Sequence, residues 1–468
     1  MNDKYEVVVG LEIHSELKSQ TKVFCSCANV YGAEPNTLVC PVCLGLPGTS
    51  PVVSKKCMEL TVKAGLMTNC KINEYSYFER KNYFYPDLTK SYQISQVALP
   101  TCVDGYVTLS SGKKIGISDI HLEEDTGKLT HIGEKSYIDY NRCGVPLIET
   151  VTAPDISSGD EAVEFLEKLR GIYIYGDIAE CKLEQGGMRF DVNLSVRLKG
   201  DSKLGERVEM KNLNSFRSVK RAIEYESARQ IALLEAGETI PNETRKWDED
   251  KNENVPMRAK LATAVYRCFA DPDLPMVHIK KEFIEEIKSS LPLNVDQLKD
   301  LYVNEYGLTE YDAGVLTANK MISDFYNDCI KLGVNPKELS TWVQSELMRN
   351  VKERIDISAE NFVKIIKMSG DKKISRTNAV PLIKEVIKTG KDPEVLAKEM
   401  DIINSMNDDD LEPIISALID ANPKAVADYQ VTPDKIITFF VGQLMKQTKG
   451  KANVVKAKQI LNEKLGKN

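Results

Sequence analysis

Four cysteines near the N-terminus have the types and spacing to do chemistry. Cys25 and Cys27 sit two apart, twelve residues intervene, and Cys40-Pro-Val-Cys43 supplies a second close pair. Two short-spaced thiolate pairs are what a tetrahedral zinc site requires, with Zn–S bonds of about 2.3 Å. Gly45 follows Cys43 where a tight knuckle can aim backbone N–H groups at sulfur. Four thiolates leave no open position for substrate, so zinc here is expected to be structural. The competing reading is four buried, reduced cysteines. The other seven of the eleven cysteines lack such spacing and read as core residues.

A second group is acidic. Glu12 and His14 are two apart in a predicted strand and so share a face; His121, Glu123 and Asp125 do the same in another, with Glu124 opposite. Glu149 follows the apolar run Val145 to Ile148. Carboxylates with one imidazole suit magnesium or manganese better than zinc. On spacing alone, acids on a solvated strand face remain the simpler reading.

These groups need elements to hold them. Tyr5 to His14 reads as a strand, and Val103 to Glu124 as a hairpin turning near Ser110-Ser111-Gly112. Met188 to Leu198 alternates, with Met188, Phe190, Val192, Leu194 and Val196 on one face and Arg189, Asp191, Asn193, Ser195 and Arg197 on the other. Ser158 and Glu161 form a capping-box pattern ahead of an apolar helix, and a second helix runs from about Phe216 to Ala236 before Gly237. After Leu291-Pro292-Leu293 helical periodicity dominates, with breaks near Asn335-Pro336, Asp392-Pro393 and Asn422-Pro423. The expected fold is α+β: a mixed-sheet cradle with its zinc knuckle over 1–290, a helical domain over 291–400 and a helical tail over 401–468.

The 468 residues carry 62 basic and 69 acidic side chains, a net charge of −7, with 28% charged and 42% hydrophobic residues. That is the balance of a soluble globular chain of two to four domains. Contact with nucleic acid must come from a local patch. Residues 431–468 supply one, with eight lysines against two acids, net +6. The polar N-terminus lacks a secretory pattern, no run approaches the ~18 apolar residues of a membrane span, and so many cysteines imply a reducing, cytoplasmic setting. There is no P-loop motif and no G-x-S-x-G elbow. His131-Ile132-Gly133-Glu134 and Lys367-Met368-Ser369-Gly370 look like synthetase signatures but lack their final catalytic residue types.

At Val9-Gly10-Leu11-Glu12-Ile13-His14 the chain resembles the B subunits of aspartyl/glutamyl-tRNA(Asn/Gln) amidotransferases, the GatB family. The likeness continues through Phe78 to Asp87, Tyr92 to Gln96, His121 to Asp125, Asp139 to Arg142, Lys211 to Phe216, Val441 to Lys446 and Gly450 to Asn453. It therefore spans nearly the whole chain. The resemblance implies that Glu-tRNA(Gln) or Asp-tRNA(Asn) is phosphorylated by ATP on its side-chain carboxylate. Ammonia, released from glutamine by an amidase A subunit, then displaces the phosphate. Phosphoryl transfer of this kind needs mainly positioning and charge neutralisation. Carried over by motif, Glu12, His14, Glu123 and Glu149 would hold magnesium, while Glu124 and Lys81 would line or gate the ammonia path. Tyr83, Tyr85, Arg189, Asp191, Asn193, Lys211 and Asn212 would contribute to the cradle, and the tail, with Lys446, Lys449 and Lys451, would contact tRNA. The A subunit and a small C subunit would complete a heterotrimer.

The chain also departs from the pattern. Leu261 replaces a family glutamate, Val265 an aspartate, Cys268 a tyrosine and Ala270 a proline, and Thr150-Val151-Thr152-Ala153 interrupts a run that usually keeps another acid. A diverged, non-catalytic tRNA-binding or scaffold subunit is thus the alternative expectation. The archaeal relative specific for Glu-tRNA(Gln) carries an inserted domain for which 290–468 has no room.

Overall fold

A computed structural model describes residues 4–257, 266–349, 354–403, 408–430, 432–448, 452 and 454–466. Leu261, Val265, Lys449 and Lys451 lie outside the described residues. The chain divides into two units, 1–295 and 296–468.

In the first unit, among the described residues, nine strands build one sheet. In chain order they are β1 (Tyr5–Glu16), β2 (Lys71–Ile72), β3 (Cys102–Thr108), β4 (Lys114–Glu124), β5 (Pro146–Thr152), β6 (Met188–Leu198), β7 (Val208–Leu213), β8 (Glu243–Asp248) and β9 (Glu253–Pro256). Their spatial order is β9-β8-β7-β6-β1-β5-β4-β3-β2, with β1 at the centre. β1 runs antiparallel to both β5 and β6, while β7 and β8 are parallel, which makes the sheet mixed. The α+β reading of the sequence therefore holds.

Side-chain alternation sorts this sheet into two faces. Val9, Leu11 and Ile13 of β1 and Phe190, Val192 and Leu194 of β6 enter one apolar core. Burying each such side chain contributes about 1.5–3 kcal/mol. Three helices cover this face: α1 (Lys55–Met67) against β4, α3 (Phe216–Glu235) against β6, and α2 (Gly159–Tyr175) against α3. The other face carries most of the sheet's polar residues, with Val8 and Leu147 also buried on it.

Local signals explain the helix limits. Gly237, at φ +74°, follows α3. Gly237 N–H donates to Leu234 O at 3.2 Å and Glu238 N–H to Leu233 O at 2.9 Å, a Schellman closure. Ser158 Oγ accepts from Glu161 N–H at 3.1 Å, as the capping box predicts. The return bond differs: Glu161 Oε2 accepts from Ser157 N–H at 2.8 Å, and also from Lys113 Nζ at 2.7 Å. The carboxylate reaches one residue further back because Lys113, on the β3–β4 turn, draws it there.

A smaller sheet, Arg267–Ala270, Glu79–Asn82 and Tyr92–Ser95, is also antiparallel. Arg80 ties it to the loop that follows, with Nε 2.9 Å from Asp271 Oδ2 and Nη2 2.8 Å from Asp273 Oδ2. His131 and Gly133 belong to an exposed hairpin, Lys128–Ile132 with Lys135–Asp139, which accounts for them without synthetase chemistry.

The second unit is helical throughout its described residues. Pro336, Pro393 and Pro423 open helices rather than merely breaking them, since proline suits the first helical position. Asn335 and Asp392 cap two of these starts with side-chain oxygens. Lys367 to Gly370 simply ends the helix Ala359–Gly370. In the tail, Leu411, Ile415, Phe440, Leu444, Leu461 and Leu465 form a separate apolar cluster. Among the described residues no helix is long and apolar enough to cross a membrane.

Glu161→Gln is expected to lower the stability of the first unit by about 1 kcal/mol at neutral pH. Burial alone would raise this carboxyl, but Lys113 and Ser157 outweigh it and hold it below its ordinary 4.5. The wild-type advantage is therefore full above pH 4.5 and fades as pH falls through the depressed folded value. Denaturant melts of both proteins at neutral and acidic pH check this.

Candidate active site and metal centre

The polar face gathers its groups by register. His14 pairs across the sheet with Arg189 of β6 on one side and Glu149 of β5 on the other, and Glu149 in turn pairs with His121 of β4. Glu12 pairs with Asp191 in the adjoining row. His14 Nε2 lies 3.3 Å from Glu123 Oε1 and 3.5 Å from Glu149 Oε2. His121 Nε2 lies 3.2 Å from Glu149 Oε2, and its Nδ1 is 2.7 Å from Asp119 Oδ1.

Burial alone would lower both imidazoles. Glu123 and Glu149 overcome it at His14, and Asp119 and Glu149 at His121, pushing each up to about 10. Conversely, burial would raise Glu149, but His121 and His14 hold it far below the usual carboxylate range. Without a bound ion both imidazoles thus favour the protonated form beside the acidic pocket, and a cation bound by His14 would displace its Nε2 proton.

One ligand atom each from His14, Glu123 and Glu149 lies within 4.8 Å of the others, so these three could hold one ion. Oxygen donors with one imidazole fit a hard divalent cation. Of the four residues expected together, Glu12 is set apart. It groups instead with Asp191 and Glu209, and accepts from Asn193 Nδ2 at 2.8 Å. Burial, then the charge of Glu149, raises its carboxyl. Asn193 Oδ1 is buried with no hydrogen-bond partner, an oxygen donor left available beside Glu12.

Other expected residues take varied places. Lys211 Nζ bridges Asp191 Oδ2 at 2.8 Å and Glu209 Oε1 at 2.9 Å. Arg189 Nη2 reaches Asp125 Oδ2 at 3.1 Å, and Arg142 joins the same carboxylate. Asp125 would be raised by burial, but Arg189 and Arg142 hold it low. Tyr83 is raised by burial and then by Glu123, so it borders the acidic pocket. Its ring meets Tyr266 at 5.5 Å, and Lys81 Nζ sits 5.0 Å over that same Tyr266. Tyr85 is exposed. Asn212 does not join the cluster: at φ +64° it turns its amide to the Trp247 carbonyl at 2.9 Å, a backbone role. Glu124 faces away from the cradle, buried, with Lys90 Nζ at 2.6 Å and Ile94 N–H at 3.0 Å. Spacing did not reveal Asp119, Glu209, Arg142 or Lys90. Asp119 carried a signal, standing two before His121 on one strand face, and Arg142 closed the family-like motif Asp139 to Arg142.

The four cysteines converge. Their Sγ atoms all lie within 4.8 Å of one another. Cys40 and Cys43 sulfurs are 3.9 Å apart. A tetrahedral zinc with 2.3 Å bonds needs about 3.8 Å. Backbone N–H groups aimed at sulfur include Cys40's, 3.1 Å from Cys43 Sγ, whereas Gly45 N–H donates to Val42 O at 3.0 Å. Gly45 instead supplies the knuckle's turn at φ +66°. Cys43 is drawn down to about 4, first by the hydrogen bond from Cys25.

A catalytic fold of known type matches this arrangement: the GatB/GatE catalytic domain covers residues 7–285, and the GatB domain covers 324–465. Relatives named as the B subunit of aspartyl/glutamyl-tRNA(Asn/Gln) amidotransferase agree along the whole length. That of Caldicellulosiruptor bescii is 48% identical over 99% of this chain and 100% of its own, and that of Thermoanaerobacter pseudethanolicus 47% over the same shares. That of Brevibacillus brevis is 41% identical over 99% of both chains. The chain belongs to the GatB family of tRNA-dependent amidotransferase B subunits.

Arg142→Met leaves buried Asp125, among the described residues, with Arg189 as its cationic partner and the Thr126 N–H at 2.9 Å. Losing one hydrogen bond to a charged group is expected to cost about 1.5–3 kcal/mol, measured as a lower denaturant midpoint for the first unit. An unchanged midpoint would show the pair to be energetically silent.

Proposed function

We propose that this chain is the activating and amidating subunit of a ligase that converts Glu-tRNA(Gln), Asp-tRNA(Asn) or both to the amides. The side-chain carboxylate of the misacylated tRNA attacks the γ-phosphorus of ATP, and ADP leaves. Ammonia then attacks the acyl carbon and phosphate departs. The observation that carries this reading is the meeting of His14, Glu123 and Glu149 from three neighbouring strands on one polar sheet face. Full-length similarity to B subunits disfavours a non-catalytic scaffold.

His14, Glu123 and Glu149, with Glu12 alongside, would hold magnesium, which when bound supplies charge neutralisation to transferring phosphoryl oxygens. The protein's own groups do the rest. Lys211 and Arg189 place fixed positive charge on the cradle floor, where anionic phosphates are to lie. Lys81 of the small sheet and Tyr83 just after its strand border the pocket; Lys81 would line the route for ammonia, and Glu124, held by Lys90 on the other side of β4, would gate it. Cys25, Cys27, Cys40 and Cys43 would hold structural zinc. An amidase A subunit supplies ammonia, a small C subunit completes a cytoplasmic heterotrimer, and a helical tail over 401–468 binds tRNA by its lysines. Lys446 is exposed there. Lysines near phosphates give affinity without sequence reading.

The test uses the complete heterotrimer with ATP, glutamine and each misacylated tRNA in turn. His14→Ala and Glu149→Gln are expected to cut amide formation at least about 100-fold, the scale of losing a group that neutralises transition-state charge, while tRNA retention stays within twofold. Unchanged amide formation would overturn the assignment. Cys25→Ser and Cys40→Ser are expected to reduce bound zinc from one per chain to near none by elemental analysis, with loss of soluble protein.

A further inference from the structure

Lys22 is 0% exposed. It lies between β1 and the first cysteine pair, its backbone N–H bonded to Cys27 O at 3.0 Å. Its Nζ is 3.6 Å from Cys43 Sγ and 3.4 Å from the Tyr140 carbonyl. Its stem packs where Gly144 leaves room: a Cβ there would stand 3.5 Å from Lys22 Cδ and 3.7 Å from Cys43 Cβ. Among the described residues no carboxylate pairs with it. Lysine is almost never fully buried without a partner of opposite charge, because an uncompensated ammonium in the interior carries a heavy desolvation penalty. The anion beside this one is sulfur. Four thiolates around a divalent cation leave a formal excess of two negative charges, and Cys43, beside Lys22, is the buried one of the four.

We propose that Lys22 is a built-in counter-ion of the tetrathiolate centre, a positioning residue that holds Cys43 and retains the metal by offsetting part of that excess charge. The inference rests on the reading of these cysteines as a zinc site. Partners just outside the ligands typically change metal affinity 10–100-fold. An ammonium on sulfur also withdraws electron density from the metal–thiolate bond.

The experiment uses the full-length chain. Wild type is first assayed for zinc; a content near zero after growth with added zinc would overturn the metal reading itself. With zinc held, Lys22→Met is expected to weaken it roughly 10–100-fold in competition with a chromophoric chelator. In the cobalt-substituted protein the sulfur-to-cobalt charge-transfer band should move to longer wavelength, since a positive charge beside the donor sulfur is gone. Equal competition and an unmoved band would overturn the role of Lys22 while leaving zinc in place. Should Lys22→Met not fold, Lys22→Gln keeps donors for Tyr140 without the charge. If the lysine serves structure alone, glutamine restores wild-type affinity and band position; if it is a counter-ion, glutamine restores neither.

Discussion

The antiparallel register of β1 against β5 and β6 is the constraint on which the rest depends. It sets Arg189, His14 and Glu149 in one row and Glu12 beside Asp191 in the next. Side chains alternate with a period of two, so slipping β1 by one residue would send His14 into the core and Ile13 into the acidic pocket. Val9, Leu11 and Ile13, fully buried on the opposite face, oppose that slip. The apolar core thus fixes where the chemistry sits, although none of its members takes part in it.

Charge balance is the second constraint. Carboxylates crowded on a half-buried face repel one another, and burial adds a desolvation cost. The sheet answers with basic groups interleaved among them: His14 and His121 around Glu149, Arg142 and Arg189 on Asp125, Lys211 between Asp191 and Glu209. These cross-strand pairs make the cradle a pre-formed polar lattice, whose orientation need not be assembled when a ligand arrives.

What could be read beforehand follows from physical range. Period-two alternation exposed both faces of β6, and cysteine spacing pointed to a cluster, because both signals are local. The closing glycine of α3 was legible for the same reason. Contacts between distant segments were not: Lys22 with Cys43, Lys90 with Glu124 and Arg142 with Asp125 are separated by 21, 34 and 17 residues and leave no pattern in the string. Asn212 sat in a recognisable motif, yet its left-handed backbone turned it to Trp247. Pro381 and Pro413 lie inside helices, where the local rule expects a break and tertiary packing overrides it.

Glu123 and Glu124 are sequence neighbours with opposite addresses. One faces His14 in the acidic pocket, while the other is locked to Lys90 beneath the cysteine knuckle, whose Cys43 carbonyl accepts a bond from Thr89 at 2.9 Å. At its end β4 is therefore a partition a single peptide thick between two chambers. A disturbance that tilts the strand to relieve strain in one chamber must deform the other, so knuckle and cradle are obliged to tolerate the same wall.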